Sequence, residues 1–166
     1  MVPPAVSTFM LTSETSANQI VRHHHRTLTT TIQIVDELKE GTYEQIKLSL
    51  PSIKIVQVIH VRDENAIDEA IQISNYVDAL LLDSGNPDLK IKELGGTGRV
   101  HNWNISKKIV EASKVPVFLA GGLTPENVRQ AIDQVQPFGV DLCSGVRTNQ
   151  KLDPFKLEKF FNNVNK

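Results

Sequence analysis

Six times along this chain a short run of apolar, mostly β-branched residues gives way to a longer stretch whose apolar residues recur at helical spacing. The clearest run is Ile53-Lys54-Ile55-Val56-Gln57-Val58-Ile59-His60, followed by Ala66, Ile67, Ala70 and Ile71 on one helical face. The other predicted strands cover residues 5–12, 30–35, 77–82, 115–120 and 139–143. Helical faces follow through Ile20, Val21, His24 and Leu28; Tyr43, Ile46 and Leu50, closed by Pro51; Ile105, Ile109 and Ala112; Val128, Ala131, Ile132 and Val135; and Leu157, Phe160, Phe161 and Val164. Strict alternation of buried strands with amphipathic helices predicts the α/β class, a parallel sheet covered by helices.

The units recur about two dozen residues apart, the size of one unit of a TIM (β/α)8 barrel. A doubly wound sheet is the rival. Against it, no glycine-rich fingerprint follows the first strand, and the polar and glycine signals gather at the ends of the late strands. Six units cannot close an eight-strand barrel. The prediction is therefore a partial (β/α)8 barrel of six consecutive βα units, forming a single domain over residues 1–166.

The charge balance narrows the partners. With 18 basic and 19 acidic residues and a formal net charge of -1, nothing favours nucleic acid or an anionic membrane. An acidic ligand must be held locally. Cys143 is the one cysteine, so no internal disulfide can form, which fits a reducing, cytoplasmic setting. No apolar run approaches the roughly 18 residues of a membrane span, and the opening residues lack the regions of a signal peptide.

A local anion site is written into residues 116–128. An apolar strand ends at Gly121-Gly122, whose backbone can turn sharply, and Thr124-Pro125 predicts an N-cap followed by proline at the first helical position. Amides at such a turn point towards an anion together with the positive end of the helix dipole. Three further features bear on chemistry. Asp83 closes an apolar strand, where a barrel presents reactive groups, or else caps the turn through Ser84-Gly85. His60 closes another, free to meet a ligand or to satisfy a loop carbonyl. His23-His24-His25 invites a metal, yet consecutive helical residues point about 100° apart and cannot share one ion, so a solvated helix segment is expected.

Leu80-Leu81-Leu82-Asp83-Ser84, Gly95-Gly96-Thr97-Gly98, residues 118–128 (Phe-Leu-Ala-Gly-Gly-Leu-Thr-Pro-Glu-Asn-Val) and residues 138–146 (Phe-Gly-Val-Asp-Leu-Cys-Ser-Gly-Val) occur in that order. Together they resemble the phosphoribosylanthranilate isomerase family of tryptophan biosynthesis. The resemblance implies units three to eight of an eight-unit barrel, with the first two units upstream of Met1. It implies an Amadori rearrangement of a sugar phosphate, without metal or organic cofactor: an acid protonates the ring oxygen to give an imine, and a base removes the neighbouring carbon's proton to give an enolamine.

By the same resemblance Asp83 is the acid, and an apolar setting would favour its protonated form. Gly121, Gly122, Ser144 and Gly145 hold the phosphate, Gly96 and Gly98 belong to a loop covering the sugar phosphate, and Asp141 contacts the substrate. As plain residues, the glycines are equally turn formers and Asp141 equally part of a polar layer inside a barrel. The family's base is a cysteine in a Cys-Gly motif of the first strand, which this chain does not contain, and the anthranilate-gripping arginine of the second unit is absent as well. Cys143 either stands near that base position or is a small core cysteine. Gln33-Ile34-Val35-Asp36, Gln57, Asn102 and Arg147 also depart from the family pattern.

Two expectations follow. As an isomerase lacking its base, this chain alone should be inactive or severely impaired. As a partner-dependent binder of sugar phosphate, it should leave two strand edges open to self-association. A Schiff-base aldolase fits less well because Lys54 starts its strand, and a metal-dependent epimerase because only His60 is suitably placed.

Overall fold

A computed structural model of the chain describes residues 2–85 and 100–165. Six strands, β1 (Phe9–Thr12), β2 (Thr31–Ile34), β3 (Lys54–His60), β4 (Ala79–Asp83), β5 (Val117–Leu119) and β6 (Gly139–Val140), form one parallel sheet in sequential order. They alternate with helices α1 (Ala17–Thr27), α2 (Tyr43–Ser49), α3 (Asn65–Ile73), α4 (Trp103–Ala112), α5 (Val128–Val135) and α6 (Pro154–Val164).

Sequential order with right-handed crossovers sends every helix to the same side. The core records this. Ile32, Ile34, Ile55, Ile59, Leu80, Leu82 and Leu119 pack in one cluster with Ile20, Ile46, Ala70, Ile109, Ala131 and Phe160 of the helices. The alternate strand residues Val56, Val58, Ala79 and Leu81, with Phe118 against them, form a separate cluster on the opposite face. A doubly wound sheet would carry helices on both faces and reverse its strand order. The architecture is therefore an α/β sheet of barrel type, in six consecutive βα units. β1 and β6 pair only with β2 and β5 among the described residues, so the sheet is open.

Several local expectations are corrected. The sixth strand stops at Val140 and leads into a 3-10 turn, Ser144–Val146. The hairpin that follows, β7 (Arg147–Thr148) with β8 (Lys151–Leu152), carries no sequence signal because its positive-φ residues are Asn149 and Gln150 without glycine. Leu28 and Phe161 are exposed: Leu28 is the left-handed C-cap of α1, and Phe161 turns away while Phe160 enters the core. The three histidines are divided. His24 is buried and its Nε2 donates to the Thr29 carbonyl at 2.8 Å, His23 pairs with the Thr12 hydroxyl at 3.1 Å, and His25 is exposed. Among the described residues no three His, Cys, Asp or Glu side chains are grouped to hold a metal ion. Nor is any described helix long and apolar enough to cross a membrane.

One cap lends itself to a direct check. Thr42 Oγ1 accepts from the Gln45 amide at 3.2 Å and Gln45 Oε1 accepts from the Thr42 amide at 3.0 Å, a complete capping box on α2. Thr42→Ala is expected to cost about 1 kcal/mol in urea unfolding. An unmoved midpoint would show that water serves the Gln45 amide equally well.

Candidate active site

The alternation of β4 sends Leu80 and Leu82 to the helices and Ala79, Leu81 and Asp83 to the open face. Asp83 thus ends its strand on the open side, buried to 6% exposure, with Oδ1 accepting from the Ser84 amide at 2.8 Å. The cap and the reactive position coincide. Asp141 follows β6 instead of lying within it, and lines a cavity of about 370 Å3 with Phe9, Leu11, Gln33, Val56, Leu81, Phe118 and Val140 on the same open face. Its carboxyl is held above the ordinary range, first by desolvation and then by the charge of Asp83. The two carboxylates are near enough for the charge of one to act on the other.

Gly121 and Gly122 follow β5 with φ of 80° and 65°, a region in which side chains are strained. Neither of their amides donates a hydrogen bond to another described residue. The helix behind them starts later than Thr124-Pro125 predicts. Asn127 is the N-cap of α5, and its side chain accepts from the Thr124 amide at 2.8 Å and donates to the Gly122 carbonyl at 3.0 Å. This clamp holds the turn in shape. Gly145 lies so close that a Cβ on it would fall 1.9 Å from the Leu123 carbonyl oxygen. Gly121, Gly122, Ser144 and Gly145 are therefore brought together at the ends of β5 and β6, on the rim that carries Asp83. Gly96 and Gly98 lie outside the described residues.

Cys143 is neither in the last strand nor in the core; it is exposed in the loop after β6. Gln57 faces the helices, accepting from the Tyr43 hydroxyl at 3.0 Å and donating to the Asp36 carbonyl at 3.0 Å, so its departure from the family pattern falls on a packing contact. Burial pushes the Tyr43 hydroxyl up to about 12, with the charges of Glu69 and Glu37 adding to it. Asn102 caps α4 by accepting from the Asn104 amide at 3.0 Å, and Arg147 donates to the Gln150 carbonyl at 3.0 Å within the hairpin. His60 satisfies the Val35 carbonyl through Nε2 at 2.9 Å. A carbonyl only accepts, so Nε2 carries the proton and Nδ1 is bare. His60 faces a second cavity, of about 480 Å3, with Asp36, Arg62 and Glu69.

His101 was not anticipated from the sequence. Its ring is fixed by a 2.7 Å hydrogen bond between Nε2 and the Ser106 hydroxyl, and Nδ1 is buried without a partner among the described residues. A Cβ on Gly121 would meet both His101 Nδ1 and Asp83 Oδ1 at 3.1 Å, so both atoms border the same small space. Burial pushes the imidazole down from its usual 6.5 to about 4. A depressed histidine makes protonation favour the unfolded chain. Its contribution is complete above about pH 6.5 and is lost as pH falls towards 4, on the order of 3 kcal/mol over that window. His101→Asn should flatten this acid-side loss in urea titrations run at about pH 7 and about pH 4; equal losses in both proteins would mean that His101 protonates freely in the fold.

Residues 6–163 match the family model described as N-(5'phosphoribosyl)anthranilate (PRA) isomerase. An N-(5'-phosphoribosyl)anthranilate isomerase of Methanosarcina mazei is 38% identical over 159 residues, covering 95% of this chain and 70% of the relative. The crystal structure of phosphoribosyl anthranilate isomerase from Thermotoga maritima is similar with a TM-score of 0.77 and 26% identity, over 99% of this chain and 75% of that one. A further phosphoribosyl anthranilate isomerase, in complex with reduced 1-(o-carboxyphenylamino)-1-deoxyribulose 5-phosphate, shares the fold with a TM-score of 0.73 at 24% identity, over 99% of this chain and 74% of that one.

Proposed function

Because this chain belongs to the N-(5'-phosphoribosyl)anthranilate isomerase family, we propose that it serves the family's aldose-ketose isomerisation in tryptophan biosynthesis, with Asp83 as acid. Gly121, Gly122, Ser144 and Gly145 hold the substrate phosphate, and Asp141 contacts the sugar. The single observation that carries this is the convergence of the two late-strand turns and the two carboxylates on one rim. Turn amides without a partner among the described residues, together with small residues, suit a phosphate, and a buried carboxyl whose charge reaches a second one suits proton transfer. The reducing setting that a lone exposed cysteine tolerates supports a cytoplasmic location.

The test is calorimetric titration with reduced 1-(o-carboxyphenylamino)-1-deoxyribulose 5-phosphate, the compound bound in the related structure. Binding that inorganic phosphate competes away is expected. Absence of binding would overturn the assignment.

A second property is favoured by the open face. Phe9 and Leu11 of the edge strand β1 are 44% and 60% exposed. We propose that β1 and β6 edges pair with a second copy of the chain. Leu11→Lys should lower the average mass in sedimentation equilibrium; a wild-type monomer at every concentration would refute the pairing.

A further inference from the structure

The cavity of about 480 Å3 that His60 faces is lined from α2, α3 and the connections after β2 and β3, and it carries charges of both signs that do not meet. Glu37, Glu69 and Lys39 all line it, and among the described residues none of the three makes an ion pair or a side-chain hydrogen bond. We propose that this cavity is a binding site for a small amino acid, its ammonium taken by Glu37 and Glu69 and its carboxylate by Lys39. The site shares no lining residue with the cavity that holds Asp141, and it does not depend on the isomerase reading.

Glu69 stands on α3, while Glu37 and Lys39 lie two residues apart in the connection after β2. Desolvation holds the Glu69 carboxyl above its ordinary range; Arg62 and His60 oppose this without cancelling it, and Glu37 and Asp63 add to it. The charges of Glu69 and Glu37 also add to what burial does to the Tyr43 hydroxyl. That end of the cavity therefore lacks a positive charge. It lacks a hydrogen-bond donor as well. His60, 8% exposed, lines the same cavity with Nε2 committed to the Val35 carbonyl and Nδ1 without a partner among the described residues.

A metal ion would bring charge without a donor, and no three described carboxyl or imidazole groups are gathered for one. An ammonium brings both. A plain amine, however, would leave Lys39 unanswered and would meet the charges of Lys39 and Arg62 on its way in. A zwitterion answers both signs. Asp36 is not needed for it, being buried and turned to the Glu37 amide, from which its Oδ1 accepts at 2.9 Å. Leu38, Val58 and Ile73 line the remainder, and the volume suits a small molecule with a short apolar side chain.

The probe is L-norvaline, with butylammonium and pentanoate as its two halves, each keeping the alkyl chain and one of the two charges. Titrations at constant ionic strength are followed by the amide shifts of residues 69–73 and the ring nitrogen shifts of His60. Norvaline is expected to shift both sets saturably, at concentrations at least about tenfold below those needed for either half. Glu37→Gln combined with Glu69→Gln should weaken norvaline by about tenfold or more without weakening pentanoate, and Lys39→Gln should weaken it likewise without weakening butylammonium. None of the three side chains belongs to the core, so these variants should keep the wild-type urea midpoint. No saturable shift with norvaline, equal affinity for the whole and a half, a silent His60 ring or an unchanged affinity in the double variant would each overturn the site. So would norvaline that displaces the reduced deoxyribulose phosphate analogue, since it would then occupy the rim of Asp83. Failure of that analogue to bind would touch the isomerase assignment alone.

Discussion

In a form that carries the complete catalytic set, Asp83→Asn is expected to lower kcat for isomerisation by about 10²–10⁴-fold and to leave affinity for the reduced product analogue nearly unchanged. The amide has the shape of the carboxyl and its oxygen can still accept from the Ser84 amide. The turn should therefore survive, and what is lost is the proton. A second effect separates this variant from a merely misfolded one. The Asp141 carboxyl is held up first by desolvation and then by the Asp83 charge, so removing that charge lets it fall part of the way back. The acid limb of analogue binding should move to lower pH. An unchanged kcat would remove Asp83 from the acid role.

Gly145→Ala carries the other large effect. The added methyl would fall 1.9 Å from the Leu123 carbonyl oxygen and 3.0 Å from its carbon, both backbone atoms, so the turns after β5 and β6 must part. Overpacking of this kind costs about 1–3 kcal/mol. Separation of the turns should also weaken binding of the analogue by at least about tenfold, which is about 1.4 kcal/mol. Gly139→Ala is the informative contrast. Its methyl would meet only the Phe118 ring edge at 2.9 Å, and a side chain can swing where a carbonyl cannot. Urea unfolding should therefore rank Gly145→Ala as the more damaging. The reverse order would mean that the two late turns are not held together as described.

The alternation of elements was legible because each long strand is β-branched and each helix has one apolar stripe, as in residues 53–60 and the helix after them. Sequential order and a single helical face could not be read from periodicity alone. Periodicity states that a strand is buried, not on which side its next helix returns. The late turns were visible through their glycines, but Asn127 was not, because a side chain that clamps a turn from three residues downstream resembles any polar residue before a helix. His101 was missed for a related reason. It stands between a glycine-rich stretch and an N-cap, in a segment that reads as a connection, and the groups that border its ring, Asp83 Oδ1 across the space above Gly121 and the Ser106 hydroxyl, are brought to it by the fold. The signal was spatial. Cys143, in contrast, looked like core because residues 139–143 read as one strand, yet the strand stops at Val140.

The sequential sheet has a consequence for how the molecule breathes. Each strand is bonded only to its neighbours in the chain order, so local opening can begin at either end and stop at any unit. β6 holds on through Gly139 and Val140 alone, whereas β3 and β4 share the longest register. Amide exchange should thus be slowest in the middle of the sheet and fastest towards β6. The phosphate turns sit at that loosely held end, so an anion bound there acts as a bolt on the last unit. Ligand occupancy would be read as slowed exchange in β6 and β5, far more than in β2, turning the weakest hinge of the fold into its most sensitive reporter.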